Sequence, residues 1–491
     1  MNYRLLCKVL GLLLLLLSVA MLCCLGVSFV ELEFMVTEDL APLSLSISTS
    51  ITFVAGFALF WIGRKEEPEI LRKEAIAIVG LGWILCAAFG ALPYLFTAHG
   101  LGVAEAYFES MSGFTTTGST VIRDLDVYPH SILLWRATTQ WLGGMGILVL
   151  FVAVLSYLGV GSKSLFRHES SARQGEGFHG RIRTMATQLW QIYVGLSLIC
   201  AAGLFLLGMS VFEAVTHAFT AISTGGFSSE NASIGAYNSL GIELWLTLFM
   251  ALGGISFVLQ ASLLSGHWSR WKSEEETKLY LFLLAATTVI IAVDMVWRGT
   301  TESVGYAFRT SLFQVVSIMT TTGFVSADYD VWPPLSRVLL VVLMFIGGCA
   351  GSTAGGIKVS RLILFFKISR EELIQVFRPN QVLTLRLNGI VASSAIRIQT
   401  LFFVALTGVV VAIGTVTVSI LEPTANLITS FSAVVAVLFN IGPGLAAVGP
   451  TQNFADFTPA THVLMAILMA LGRLELFAIL VLFVPSLWKK Y

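Results

Sequence analysis

Long charge-free apolar runs alternate with short polar interruptions along the whole chain. Runs at 9–30, 40–63, 75–104, 137–162, 184–212, 244–269, 338–357 and 398–421 are each of the order of the ~20 residues a helix needs to cross hydrocarbon. A shorter run, 279–293, stops at Asp294 and reaches an interface through Val296 and Trp297. A last run, 457–488, is interrupted by Arg473 and Glu475. The pattern predicts ten spanning helices. Barrel strands alternate apolar and polar residues in short segments, so continuous runs of this length argue against a barrel. The first run resembles a signal peptide, yet it is long enough to span and lacks a clear small-residue cleavage site, which predicts a retained helix.

Between the long runs lie apolar stretches too short to span: AEAYFESMSGF, VFEAVTHAFTAI, TESVGYAFRTSLFQVVSIM and, at 431–445, FSAVVAVLFNIGPGL. The first three run into hydroxyl–glycine segments, SGFTTTGST at 112–120, ISTGGFS at 222–228 and MTTTGFVS at 319–326. Aligned on glycine, the four read Thr116-Thr117-Gly118, Ser223-Thr224-Gly225, Thr321-Thr322-Gly323 and Asn440-Ile441-Gly442. The helices that follow align in the same phase, as WLGGMGILVL at 141, MALGGISFVL at 250, MFIGGCAGST at 344 and MALGRLELFA at 469. Two signatures in one phase predict an internal repeat. The expected fold is an all-α polytopic membrane protein. Four pseudo-symmetric helix–pore loop–helix repeats surround one pore, preceded by two extra transmembrane helices. The expected division is 1–70 for the two extra helices, then repeats at 71–170, 171–270, 271–375 and 376–491.

Composition agrees with a membrane protein. The chain is 56% hydrophobic and 12% charged, with mean hydropathy +0.84, whereas soluble domains carry about a quarter charged residues. Its molecular surroundings are therefore membrane lipid, and a net charge of zero implies no nucleic-acid partner. The six cysteines lie in or beside apolar segments, with neither metal-ligand spacing nor a disulfide framework. Most of the 29 Lys and Arg fall on one side of the expected spans. They include Arg64, Lys65, Arg72 and Lys73, then Lys163, Arg167 and Arg173, the stretch 358–397, and Lys489 and Lys490. The first loop on the other side, ELEFMVTEDLA, is acidic. The positive-inside bias predicts both termini in the cytoplasm.

Non-helical backbone at membrane depth is tolerated only where it is buried in protein or lines a watery cavity. Four such loops meeting on an axis can offer backbone carbonyls in place of an ion's hydration shell. Glycine permits the positive φ that turns successive carbonyls inward. Each short helix would aim its negative C-terminal end at the site, which favours cations. Asn440-Ile441-Gly442 carries no hydroxyl, so the shared ligands should be mainly backbone carbonyls.

The helix after the third loop differs from its siblings. Gly347, Gly348, Gly351, Gly355 and Gly356 crowd one segment together with Ser352 and Thr353. Each glycine costs a helix roughly 1 kcal/mol relative to alanine, so the helix should break there. Residues 347–356 are read as an intramembrane gate loop, whereas the glycine pairs at 143 and 253 fit close helix packing. Arg473 replaces the second glycine of the fourth copy, and its expected place is the pore just inside the filter, against the gate loop's carbonyls. An ion pair with Glu475 is poor, since residues two apart on a helix do not share a face. No enzyme is expected. Gly356-Ile357-Lys358 misplaces the lysine of a phosphate-binding loop, and Ser352 lacks a nearby general base.

The four glycine-centred loops, the helix–loop–helix repeats and the segment GGCAGSTAGGIKVSR together resemble the Trk/Ktr/HKT superfamily of potassium transporters. The bacterial Trk-type membrane subunit, with two extra N-terminal helices, is the most similar type. The resemblance spans essentially the whole chain. It implies a potassium-permeable, pore-forming subunit of the bacterial cytoplasmic (inner) membrane, usually a homodimer with one pore per chain. It also implies a cytosolic ring of nucleotide-binding regulatory subunits, so nucleotide would act only through that partner. In the family, glycine at the key position of every loop goes with potassium selectivity, and serine in the first loop goes with sodium conduction. Single-glycine loops offer fewer carbonyl rings than TVGYG, which implies moderate discrimination. The basic stretch 358–397 is the natural docking surface, although positive-inside bias accounts for its charge equally well. The competing function is a secondary transporter coupling potassium to sodium or proton entry. That class favours midplane carboxylates and inverted repeats. Here the repeats run in parallel, and Glu475 is the only acid deep in a span.

Overall fold

Asn2 starts the first helix, its side chain accepting from the backbone N–H of Arg4 and Leu5. The apolar run that follows forms α1 (Tyr3–Val30), which packs along α2 (Ala41–Gly63). The computed structural model describes residues 1–31, 33, 41–64, 72–158, 178–381 and 384–488. Lys65, Lys163, Arg167, Arg173, Lys489, Lys490 and most of the acidic loop after α1 lie outside the described residues, as do the expected repeat boundaries at 70/71 and 170/171.

The next helices are α3 (Arg72–Gly90), α4 (Val103–Phe114), α5 (His130–Leu158), α6 (Phe178–Leu206), α7 (Val211–Ile222), α8 (Leu240–Gly253) and α9 (Phe257–Leu264). After them come α10 (Glu275–Trp297), α11 (Val304–Met319), α12 (Pro334–Ile346), α13 (Val359–Phe377), α14 (Ser394–Leu421), α15 (Leu427–Leu438), α16 (Pro459–Arg473) and α17 (Phe477–Leu480). Among the described residues six helices are long and apolar enough to cross a membrane, or eight if each sharply bent pair counts as one span. The protein is therefore mostly helical, with several membrane-crossing helices.

Helices α4, α7, α11 and α15 have 12, 12, 16 and 12 residues, too short to cross. They are nonetheless buried at their C-terminal ends. Local chemistry starts them. Glu105 accepts from the Gly102 N–H at 2.8 Å, and Ser210 and Glu213 form a reciprocal capping box. The side chains of Ser303 and Asn426 cap the other two.

An acid near the end of one long helix ties down the start of a later one. Glu33 accepts from Ser131 N and Oγ at 2.9 and 2.6 Å. Asp294 accepts from Ser336 N and Oγ at 3.2 and 2.7 Å. Glu422 accepts from Thr458 N and Oγ1 at 2.7 Å each and from Thr461 Oγ1 at 2.6 Å. Losing a helix cap costs about 1 kcal/mol. Glu422→Ala is therefore expected to lower the thermal midpoint of the purified protein, with Glu422→Gln retaining part of the difference. Equal midpoints for Glu422→Ala and the parent would contradict the clamp.

The basic stretch 358–397 holds more than a loop. It contains α13 and a small hairpin, β1 (Arg386–Leu387) against β2 (Ile390–Val391), turning through Asn388 and Gly389 at φ 50° and 78°. Asn-Gly is the residue pair such a turn requires. Asn388 accepts from Glu275 N at 2.9 Å and donates to Glu274 at 3.0 Å, so the hairpin caps α10.

Candidate functional site

The four short helices end in the same way. Thr115, Ser223, Thr320 and Phe439 are their C-caps. The next residue turns left-handed in each: Thr116 (φ 52°), Thr224 (φ 53°), Thr321 (φ 56°) and Asn440 (φ 56°). The following N–H reaches back to the helix. Thr117 donates to Ser112 O, Gly225 to Thr220 O, Thr322 to Ser317 O and Ile441 to Ala436 O, at 2.9, 2.8, 2.8 and 2.9 Å. A second positive φ then falls on Gly118 (82°), Gly226 (79°), Gly323 (81°) and Gly442 (106°). A β-branched threonine at positive φ is a real backbone outlier, and strain of this kind collects at functional sites.

This geometry corrects the alignment of the second loop. The counterpart of Gly118 is Gly226, and Gly225 stands where Thr117, Thr322 and Ile441 stand. The adjacent glycines at 225 and 226 gave the sequence two candidates, and only the backbone conformation distinguishes them.

The glycines close a ring. A Cβ on Gly118 would lie 2.2 Å from Gly225 O, and one on Gly226 would lie 1.8 Å from Thr322 O. One on Gly323 would lie 1.9 Å from Ile441 O, and one on Gly442 would lie 2.9 Å from Thr117 O. The contacts pass from the first loop to the second, third and fourth and back to the first. Each loop thus sets its glycine against the carbonyl that precedes the glycine of the next.

The hydroxyls around the ring are mostly engaged in holding it. Ser112 Oγ donates to Ser119 O at 2.6 Å, and Ser317 Oγ donates to Phe324 O at 2.7 Å. Thr115 and Thr117 share a hydrogen bond of 2.7 Å, and Thr320 and Thr322 share one of 2.8 Å. Asn440 Nδ2 donates to Thr117 Oγ1 at 2.9 Å and to Met469 O at 3.0 Å, tying the fourth loop to the first. Gln140 supports the second loop. Its Nε2 donates to Gly225 O at 2.6 Å, and its Oε1 accepts from Phe227 N at 3.0 Å. Its position between two glycine signatures carried no local signal. Among the described residues no group of three His, Cys, Asp or Glu side chains is placed to hold a metal.

The helix that follows the first loop and the one that follows the fourth must each cross the end of a short helix. A Cβ on Gly143 would lie 1.9 Å from Phe114 O, and one on Gly472 would lie 1.7 Å from Leu438 O, so only glycine allows these crossings. Helix α5 continues through its glycine pair. Helix α8 does not, because after Gly253 the chain bends by 97° into α9, and after Arg473 it bends by 113°. The glycine pattern predicts a break only after the third loop. The reason for the extra break in α8 lies in its neighbour, since Gly254 O accepts from Cys349 N at 2.9 Å and Gly253 O accepts from Thr353 N at 3.2 Å. In return Phe257 N donates to Gly351 O at 3.0 Å. Each interrupted segment satisfies the backbone groups freed in the other.

Helix α12 stops at Ile346, and the chain stays non-helical until α13. Gly347, Gly351 and Gly356 have φ of 75°, 74° and 76°. Ile357 N and Lys358 N then bond to Phe345 O and Ile346 O at 3.0 Å each, so residues 347–356 bulge out between two nearly adjoining ends. The bulge lies against the entrances of the loops. Thr353 Oγ1 donates to Ile222 O at 3.0 Å, and Gly355 N donates to Thr321 Oγ1 at 2.6 Å. A Cβ on Gly355 would lie 2.3 Å from Phe439 O. Glu276, buried at the start of α10, accepts from Ala350 N at 2.7 Å and Ser360 N at 3.0 Å, one inside the bulge and one after it.

Arg473 is 3% exposed, and its Nη1 donates to Thr353 O at 2.7 Å. Its Nε and Nη2 have no protein partner among the described residues. Glu475 pairs with Arg361 Nη2 at 2.5 Å. Ser352 Oγ donates to Cys349 O at 2.5 Å within its own loop, and Gly348 packs against Gly254 O and the Ala354 side chain.

Residues 44–490 match the TrkH family, described as a cation transport protein. The chain is 36% identical over 498 residues to the Trk system potassium uptake protein TrkH of Salmonella typhimurium, covering 100% of both sequences. It is 30% identical over 453 residues to the TrkG protein of Escherichia coli, also named a Trk system potassium uptake protein, covering 90% of this chain and 91% of that one. The crystal structure of the potassium transporter TrkH from Vibrio parahaemolyticus superposes with a TM-score of 0.89 at 33% identity, covering 100% of both chains.

Proposed function

This chain belongs to the TrkH family of cation transport proteins, and we propose from that premise a gated, channel-like pore through which it takes up potassium. It is a transport protein and no enzyme. The observation that carries the pore reading is the closed ring of Gly118, Gly226, Gly323 and Gly442 against the carbonyls of Thr117, Gly225, Thr322 and Ile441. Carbonyls gathered from four re-entrant loops suit a hard, monovalent cation. The four short helices point their C-terminal ends at the same place, which adds negative potential. The architecture we infer is four helix–pore loop–helix units around one axis, preceded by α1 and α2. Thr116, Thr224, Thr321 and Asn440 are the residues that enter the filter, and Ser223 is the C-cap before it in the second loop.

Residues 347–356 are the gate. Their bonds to Ile222, Thr321 and Arg473 hold them across the loop entrances, and Glu276 fixes them from the other side. Glu276→Ala leaves the Ala350 and Ser360 N–H groups without this partner, each costing about 1–3 kcal/mol if left unpaired. Cation flux through the purified protein is expected to rise. Unchanged flux, with a normal elution profile, would remove Glu276 from the gate.

The working assembly we infer is a homodimer in the bacterial inner membrane, with both termini cytoplasmic and a nucleotide-binding Trk-type regulatory subunit docked on the basic face. Part of that face is already engaged within the chain. Arg361 pairs with Glu475, Lys367 with Glu275, and Arg397 with Glu371. The experiment is a reversal-potential measurement on proteoliposomes under separate potassium, sodium and proton gradients. A pore conducts potassium down its own gradient alone. Movement that requires a sodium or proton gradient would replace the pore with a coupled transporter.

A further inference from the structure

Beside the first two loops lies an ion pair that neither glycine signature contains. Glu109 is in α4 and Arg136 is in α5, with Nε–Oε1 at 2.8 Å and side chains 2% exposed for Arg136 and 0% for Glu109. Among the described residues the further side-chain hydrogen bonds of the pair go to the exits of the loops. Glu109 accepts from Thr120 Oγ1 at 3.0 Å and from Val121 N at 3.0 Å, just after Gly118. Arg136 Nη2 donates to Thr120 Oγ1 at 3.3 Å. Its Nη1 donates to Ser228 O at 3.1 Å, and its guanidinium stacks 4.0 Å over the Phe227 ring, just after Gly226. One buried guanidinium therefore holds the exits of two loops that are far apart in sequence.

The other quarters of the ring differ. In the register set by Ser112, Thr220, Ser317 and Ala436, the counterparts of Glu109 are His217, Gln314 and Ala433. His217 Nε2 bonds to Ser228 Oγ at 3.0 Å, and Gln314 Nε2 reaches Ser326 Oγ and Ala327 O only at 3.4 and 3.5 Å. Ala433 has no polar side-chain atom. At this position the side chain is a paired carboxylate in the first loop's helix, an imidazole in the second, an amide in the third and a methyl in the fourth, where the exit is held instead by Asp330 accepting from Ala446 N at 3.0 Å.

Removing two charges from water costs free energy that their attraction repays only with good geometry, so an apolar pair of similar volume would often serve stability as well. The guanidinium adds directional bonds to fixed backbone and hydroxyl positions in both segments. We propose that Glu109 and Arg136 are positioning residues for ion selectivity. They fix the separation of the first and second loops and so set the width of the ring on that side. This rests on the reading of the ring as the filter.

The test uses the full chain in proteoliposomes and reads the potassium-to-sodium permeability ratio together with total flux. Arg136→Gln is expected to lower the ratio roughly tenfold, equivalent to about 1.4 kcal/mol. Arg136→Lys should restore part of it, because an ammonium can pair with Glu109 but cannot span Thr120 and Ser228 together. If Arg136→Gln does not purify as a folded protein, Glu109→Gln and Phe227→Leu carry the same test, each with a smaller fall. Unchanged ratios in the folded variants, with only flux or stability altered, overturn the proposal. Gly118→Ser is the control on the filter reading. If it shifts the ratio and the pair variants do not, the clamp fails alone. If it does not shift the ratio, the filter reading fails first.

Discussion

Gly226→Ala is expected to cut potassium uptake roughly tenfold or more, while Gly225→Ala does less, where tenfold corresponds to about 1.4 kcal/mol. Gly226 sits at φ 79°, and a Cβ there would lie 1.8 Å from Thr322 O. Left-handed backbone costs a residue with a side chain roughly 1–2 kcal/mol before any clash is counted. The clash itself is with backbone of the third loop, which cannot yield without opening the ring. Gly225 has no positive φ, and its would-be Cβ meets the end of the Gln140 side chain at 2.4 Å. A glutamine can swing away, at the cost of its bonds to Gly225 O and Phe227 N. Adding Gln140→Ala should therefore ease the steric conflict at position 225 and leave that at 226 untouched. Uptake by potassium-requiring cells, normalised to expression, separates the cases. A larger loss at Gly225 than at Gly226 would reinstate the sequence alignment of the second loop.

Arg473→Gln is expected to raise cation flux by roughly an order of magnitude, two effects acting in the same direction. At about 4 Å two unit positive charges repel by about 1 kcal/mol in bulk water and by more in a lower dielectric, so a charge lining the pore can account for an effect of that size. Removing the guanidinium lowers that barrier. It also removes the donor to Thr353 O, one of the bonds holding the 347–356 bulge against the loops. Arg473→Lys keeps the charge but has a single point of donation, so its flux should fall between the two. A bulge shortened within 349–354 should also raise flux. Combined with Arg473→Gln, it should give less than the sum of the separate effects, because both act through the same contact. Lower flux from Arg473→Gln at normal expression would contradict the barrier.

Some of this site was legible in local sequence and some was not. The loss of helix at 347–358 follows from glycines packed into one apolar run, a local cost that no neighbour needs to supply. The bend after Gly253 does not follow in that way. Gly143-Gly144 and Gly253-Gly254 look alike in sequence, yet only the second pair has the bulge beside it to bond the carbonyls that a broken helix exposes. Arg473 was conspicuous as a charge in an oily helix, but helical periodicity does not govern its relation to Glu475, because α16 ends at Arg473 and Glu475 turns to φ 54°. Nor could Arg361 be read as the partner of Glu475, because more than a hundred residues separate them. The hairpin at 386–391 has a local signal in Asn388-Gly389, the pair its turn requires.

Whatever depends on near neighbours could be read along the chain: which segments are apolar and long enough to cross, which are too short, where glycine and hydroxyl residues interrupt them, and where a helix could not continue. Hydropathy and backbone freedom act over a few residues, so a linear reading captures them. It took the folded chain to put Gly226 in the ring, Gln140 against Gly225, Glu109 and Arg136 between two loops, and Glu276 and Arg473 on the same bulge. Each of these is a contact between segments distant in the chain. Its energy comes from a shared buried geometry that no single segment contains.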